Sequence, residues 1–167
     1  MSRRSLALLC SVLLVTSVFS SVTPAPAGWV TVSPVSGISV AAGQTATAAL
    51  TFHVAGGYHI NSSKPKSDLL IPTQLKLEPP PQVTAVAAYP PGSDFTLSFD
   101  PTEKLSVYSG DFAVQVTLSV VRSAPPGRYR VTGELQYQAC SDRACFPPKK
   151  LPVSFDVIVT AAQAAAR

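Results

Sequence analysis

The sequence predicts an all-β fold, an immunoglobulin-like antiparallel β-sandwich, on three observations. Several runs alternate apolar and polar residues with period two, which places one face in a core and the other in water. Sixteen prolines in 167 residues, many in clusters such as "EPPPQ", "YPPGSD" and "SAPPGR", punctuate those runs with turns. No segment carries a convincing amphipathic helical pattern. Seven or so strands at this spacing suit a sandwich; a small closed barrel is the alternative.

The elements follow in chain order. Residues 1–4 carry Arg3 and Arg4, residues 6–19 are almost continuously apolar, and "TPAPAG" supplies an Ala-x-Ala pattern ending at Ala27. A basic start, a short apolar stretch and small residues form a secretory signal peptide over 1–27, cleaved between about Ser20 and Ala27. The alternative is an uncleaved anchor, although spanning a bilayer takes roughly 20 apolar residues. Cys10 lies in this stretch and is expected to leave with it. The domain proper is expected over 28–160, a size that supports one core. Residues 29–32 form a short strand. "TATAALTFHV" (Thr45–Val54) sets Ala46, Ala48, Leu50, Phe52 and Val54 on one face and His53 on the other. Residues 70–77 and 83–89 are short strands. In residues 112–121 the inward set is Phe112, Val114, Val116, Leu118 and Val120. In residues 128–138 it is Tyr129, Val131, Gly133, Leu135 and Tyr137. In residues 151–159 it is Leu151, Val153, Phe155, Val157 and Val159. The Ala-rich tail 161–167 is expected to be a frayed turn or disordered.

Charge narrows the partners. The formal net charge is +4, and Arg3 and Arg4 contribute two of it. No basic cluster is interleaved with aromatics, so no nucleic acid is expected. Two histidines and no Ser/His/Asp or paired-carboxylate constellation give no hint of a hydrolase.

"LQYQACSDRACFPPKK" (135–150) carries Cys140 and Cys145. Three readings compete. As a staple the pair is weak: closing a loop of about six residues is worth about 2 kcal/mol, against about 5 for a loop of about 100. As a metal clamp it lacks ligands, since structural zinc wants four and only His53 and His59 are at hand; no metal is expected. As a working dithiol it is better placed. Disulfides persist outside the cytosol, and a short exposed one tends to be labile. Pro147 and Pro148 cannot continue a ladder and would keep the second sulfur accessible. Arg143, Lys149 and Lys150 favour a thiolate, whereas Asp142 opposes it.

"YQACSDRACFPP" resembles the active-site segment of the amino-terminal periplasmic domain of the thiol:disulfide interchange protein DsbD. "GYHINSSKPKSDLLIPTQLKL" (57–77) is similar to that family's Gly-aromatic segment, and "VYSGDFAVQVTLSV" (107–120) to the strand after its cap loop. The resemblance implies an immunoglobulin-like sandwich that passes electrons from a membrane partner to oxidised thioredoxin-like periplasmic proteins, with no small-molecule cofactor. It implies that Cys145 forms mixed disulfides and that Cys140 resolves them. Tyr58, His59, Asn61 and Tyr137 line the site on the same basis, with Asp142, Arg143, Phe146 and Pro147 around the cysteines. Phe99 is the nearest candidate for the cap ring, although "SFDPTEKLSVY" is not a clear match to the cap loop. The cysteine spacing is one residue shorter than in the best-known members. No apolar stretch after residue 27 is long enough for a membrane span and no Cys-x-x-Cys motif is present, so a separately encoded membrane electron donor is expected. The competing class is a secreted binding module with an inert disulfide.

Overall fold

The computed structural model describes residues 28–97 and 100–162. The expected signal segment, Phe99 and residues 163–167 of the expected tail lie outside the described residues. Among the described residues, twelve strands form three four-stranded sheets. The first orders β1 (Val30–Val32), β3 (Thr45–Val54), β9 (Asp111–Val120) and β6 (Val83–Ala88) side by side. The second orders β2 (Ile38–Ala41), β12 (Lys149–Thr160), β10 (Gly127–Tyr137) and β5 (Gln74–Glu78). Their inward faces make one core, in which Leu50, Phe52, Val116, Val131, Leu135 and Val157 are essentially without solvent contact. The alternation read from the sequence is the alternation of burial along β3 and β9. Phe52 and Phe112 stack across that pair at 5.3 Å.

Two details depart from the expected pattern. The pairing is antiparallel except between β12 and β2, which run parallel from Val157↔Ile38 to Thr160↔Ala41. Pro152 sits in β12 opposite Glu134 of β10, before β2 joins on the other side. The expected strand at 70–77 begins only at Gln74. Pro72 has no N–H to give a ladder, and Thr73 is already committed to the segment after β4: its N–H donates to Ser62 O (3.1 Å) and its hydroxyl to Asn61 O (2.5 Å).

Gly133 is the close-approach point of the second sheet. It pairs with Leu77 of β5, and a methyl group there would collide with the Lys76 carbonyl oxygen and crowd Leu77. Its lack of a side chain is what lets β5 lie against β10.

The third sheet carries the cysteines, and most of it was not evident in the sequence pattern. It orders β11 (Ala139–Cys140), β4 (His59–Asn61), β8 (Asp100–Tyr108) and β7 (Ser93–Leu97). Ile60 and Ala139, opposite one another, turn into the common core with Tyr108. Gly57 and Gly110 have positive φ (79° and 60°), a region that costs a side-chain-bearing residue about 1–2 kcal/mol. They sit at the entry to β4 and the exit from β8, where the chain changes sheets.

Candidate functional site

β10 ends at Tyr137, whose ring is buried and whose hydroxyl bonds the Val30 backbone; burial pushes its pKa up. After Gln138 the chain changes sheets, and β11 sets Ala139 opposite Ile60 and Cys140 opposite His59. It then reverses over Ser141–Asp142–Arg143–Ala144. Ser141 N donates to Ala144 O (2.8 Å), and Ser141 Oγ accepts from the N–H groups of Arg143 and Ala144 (3.2 Å each). A serine hydroxyl that takes up backbone donors in this way stabilises a tight turn. Beyond it, Phe146 N donates to Ala139 O (2.8 Å). These backbone bonds bracket Cys140 and Cys145 without joining them, so the cysteines form a non-hydrogen-bonded antiparallel pair. That is the pairing with the closest backbones, about 4.5 Å; here the Cα atoms are 4.0 Å apart and the sulfurs are bonded at 2.02 Å.

The two sulfurs do not share an environment. Cys140 is 1% exposed, whereas Cys145 is at the surface. Phe146 turns back into an aromatic group, 4.5 Å from Trp29 and 6.0 Å from Tyr58 between centroids. Gln138 Nε2 also holds its carbonyl, at 3.1 Å. Pro147 and Pro148 are exposed and leave the chain free of a ladder until β12 begins at Lys149. Of the expected cations, Lys149 lies over the Trp29 ring (4.1 Å) and Lys150 pairs with Glu134 (2.7 Å). Arg143 is the one of the three that lines the cleft beside Cys145.

Strand register assigns a common face. Residues directly opposite one another point the same way, as do residues two apart. Cys140, His59 and Asn61 therefore share one face of the third sheet, with Val107, Leu105 and Phe95 continuing it. His59 is 3% exposed and its ring lies 4.2 Å from that of Phe95. Burial lowers its pKa below the ordinary histidine value. Its Nε2 has no hydrogen-bond partner; nor does Asn61 Oδ1, whose Nδ2 donates to Ile71 O at 2.9 Å. A cleft of about 370 Å³ opens over this face, bounded by His59, Leu70, Leu105, Arg143 and Cys145, with Leu69 at its rim 93% exposed. A second cleft, about 410 Å³, is lined by His59 together with Tyr58, Phe95 and Asp142.

Of the residues singled out in the sequence, Cys140, Cys145, Asp142, Arg143, Phe146, Pro147, Tyr58 and His59 come together here. Tyr137 lies beneath with its hydroxyl turned to β1. Asn61 shares the face of His59, but its amide group is tied to residue 71. Sequence reasoning missed Phe95, Trp29, Leu69 and Ser141. Trp29, the single tryptophan, offered a signal as the obvious ring for an aromatic group. His53, read as solvent-facing, is exposed and bonds Asp111 at 2.6 Å. Among the described residues no group of three or more His, Cys, Asp or Glu is arranged to hold a metal ion. No helix among them is long and apolar enough to cross a membrane.

An immunoglobulin-like sandwich with a cross-turn cysteine pair at one end defines a class of thiol-bearing β domain. Within it, the sequence profile of the thiol:disulfide interchange protein DsbD, N-terminal, matches residues 27–156, and the chain belongs to that family. It is a family of thiol-disulfide exchange proteins. Among solved structures, the chain is similar to the N-terminal periplasmic domain of ScsB from Proteus mirabilis, with a TM-score of 0.50 and 15% identity over 76% of this chain. The match spans 44% of that ScsB structure. A type I cohesin from Pseudobacteroides cellulosolvens is similar at a TM-score of 0.50 and 12% identity, covering 83% of this chain and 97% of the cohesin. Both likenesses are of fold. The reduced DsbD N-terminal domain of Neisseria meningitidis is similar at 21% identity and a TM-score of 0.37, over 66% of this chain and 74% of that domain. No curated protein sequence matches the chain.

Proposed function

We propose that residues 28–160 form an exported, periplasmic dithiol/disulfide relay, released from a signal peptide over 1–27. It takes two electrons from a membrane donor and hands them to oxidised thioredoxin-like proteins. The observation that carries this reading is the unequal pair: one sulfur buried in a strand, the other exposed beside an apolar cleft, five positions apart. In the reduced domain the Cys145 thiolate attacks one sulfur of the partner's disulfide, forming a mixed disulfide and releasing the partner's other thiolate. Cys140 then attacks Cys145 Sγ, closes the internal bond and releases the partner's second thiolate. Two thiols of this domain are oxidised and one partner disulfide is reduced. Tyr58 and Phe146 anchor the turn, Asp142 and Arg143 set its charge, and the exposed Leu69 offers the partner an apolar contact. The active-site segment and the family support the exchange chemistry; a binding module with an inert disulfide is the competing reading.

Trapping tests it. Cys140→Ala, mixed with an oxidised thioredoxin, should accumulate a covalent adduct that dithiothreitol dissolves, and Cys145→Ala should accumulate at least about tenfold less, because only the exposed thiolate starts the exchange. Equal trapping by both variants, or none by either, would contradict the assignment.

A further inference from the structure

We infer that His59 is the proton carrier for Cys140: it takes the Cys140 proton when that sulfur closes the internal disulfide and returns it when the disulfide is opened. The inference rests on the exchange reading above and adds a group that none of its steps names.

The argument begins with Cys140. Only a thiolate attacks a disulfide, and a thiol held away from water keeps its proton more tightly than an exposed one. Cys140 is 1% exposed, so water is poorly placed to take the proton that resolution must remove. A base lies on the neighbouring strand. His59 is the residue directly opposite Cys140, and opposed side chains on one face have Cβ atoms about 5 Å apart. Its Nε2 is buried with no hydrogen-bond partner. Buried polar atoms almost always have partners, and an unpartnered one calls for an explanation, of which a catalytic role is one. Phe95 packs on the ring at 4.2 Å and holds it in place. The titratable and charged groups facing His59 are Cys140 on β11, Asp142, Arg143 and Cys145 on the turn, Glu103 on β8, and Tyr58. Burial favours the neutral ring, which is the form that accepts a proton at neutral pH.

The step balances. Cys140–SH, neutral His59 and the mixed disulfide Cys145–S–S–R give the Cys140–S–S–Cys145 bond, R–S⁻ and protonated His59. The S–H and mixed S–S bonds break, the internal S–S bond forms, and the proton leaves His59 for R–S⁻ or water. In the reverse direction, protonated His59 quenches the Cys140 thiolate as it leaves.

The test follows the reduced domain as it reacts with dithiobis(nitrobenzoate) in a stopped-flow instrument. Cys145 releases one thionitrobenzoate on attack, and Cys140 releases the second by resolving the mixed disulfide. With His59 in place, the second phase should be flat from about pH 7 to about pH 8, above the ordinary histidine range. In His59→Phe and His59→Gln it should be at least about tenfold slower near pH 7. It should also climb with pH toward the thiol range, about 8.5, with the first phase unchanged. A second phase that keeps its rate and profile in both variants would overturn the inference, as would one slowed by the same factor at every pH. Gln retains polarity and Phe retains the ring, so if one variant fails to fold the other still reads the profile. Failure of the exchange reading itself looks different: neither Cys140→Ala nor Cys145→Ala would then trap an oxidised thioredoxin, while the second thionitrobenzoate would still be released and the pH profile of that phase still read for His59.

Discussion

At the scale of single residues, the site is a contrast between neighbours. Cys140 and Cys145 are bonded, yet one is enclosed and the other open, and in the proposed exchange an incoming thiolate or disulfide meets the Cys145 sulfur first. His59 shares the enclosure, and this has a consequence for stability. Its folded pKa is lowered by burial, while in the unfolded chain it titrates near 6.5. Between those values the unfolded chain binds more protons, so stability rises with pH. The contribution is complete above about pH 6.5 and is lost as pH falls through the folded value, by at most about 1.4 kcal/mol per pH unit for one group. Asp156, whose pKa is lowered by Arg130 and Arg128, and Asp94, lowered by Lys66, act below the ordinary carboxylate value near 3.9, outside the histidine window. Urea midpoints should therefore fall between about pH 7 and about pH 5, and His59→Phe should flatten that slope. An equal slope in the variant would remove His59 as its cause.

At the scale of elements, the fold was legible where strands are long and one-sided. β3 and β9 bury alternate residues for ten positions each, and that alternation is visible in their side chains alone. The third sheet was not legible, for physical reasons. β4 has three residues and β11 two, too few to show a period. In β8, Thr102, Glu103 and Lys104 are exposed while Val107 and Tyr108 are consecutive and both buried, so too little of the strand alternates to be read. The pairing of Cys140 with His59 depends on that sheet's register, so the sequence marked both residues without marking that they lie opposite one another. Phe95 was missed for the same reason: its contact with His59 is made between strands distant in sequence. Gly133 tests the architecture of the second sheet. Gly133→Ala places a methyl group against the backbone of Lys76 and Leu77, atoms that cannot rotate away, so β5 must shift. We expect a loss of about 3 kcal/mol, the upper end for overpacking, read as a lower urea midpoint. An unchanged midpoint would mean that β5 is not seated as described.

At the scale of the whole molecule, two sheets supply a core and a third presents a disulfide at the surface. The core cluster includes Ile60 and Ala139, so the strand carrying Cys140 is fixed to the same core that stabilises the rest. The turn beyond it is held by local bonds from Ser141, by the bonds of Phe146 to Ala139 and Gln138, by the disulfide, and by the packing of Phe146 on Trp29 and Tyr58. Such an arrangement suits a bond that opens and closes without unfolding the domain. Membership of the DsbD N-terminal family and the unequal cysteines both support the exchange proposed above. The most direct measurement is the reduction potential of the Cys140–Cys145 pair, by equilibration of residues 28–160 in graded glutathione or dithiothreitol buffers with thiol trapping. A value between about −270 and about −120 mV, the range of known exchange proteins, is the predicted result. A value well below about −300 mV would make the bond a structural one and contradict the relay.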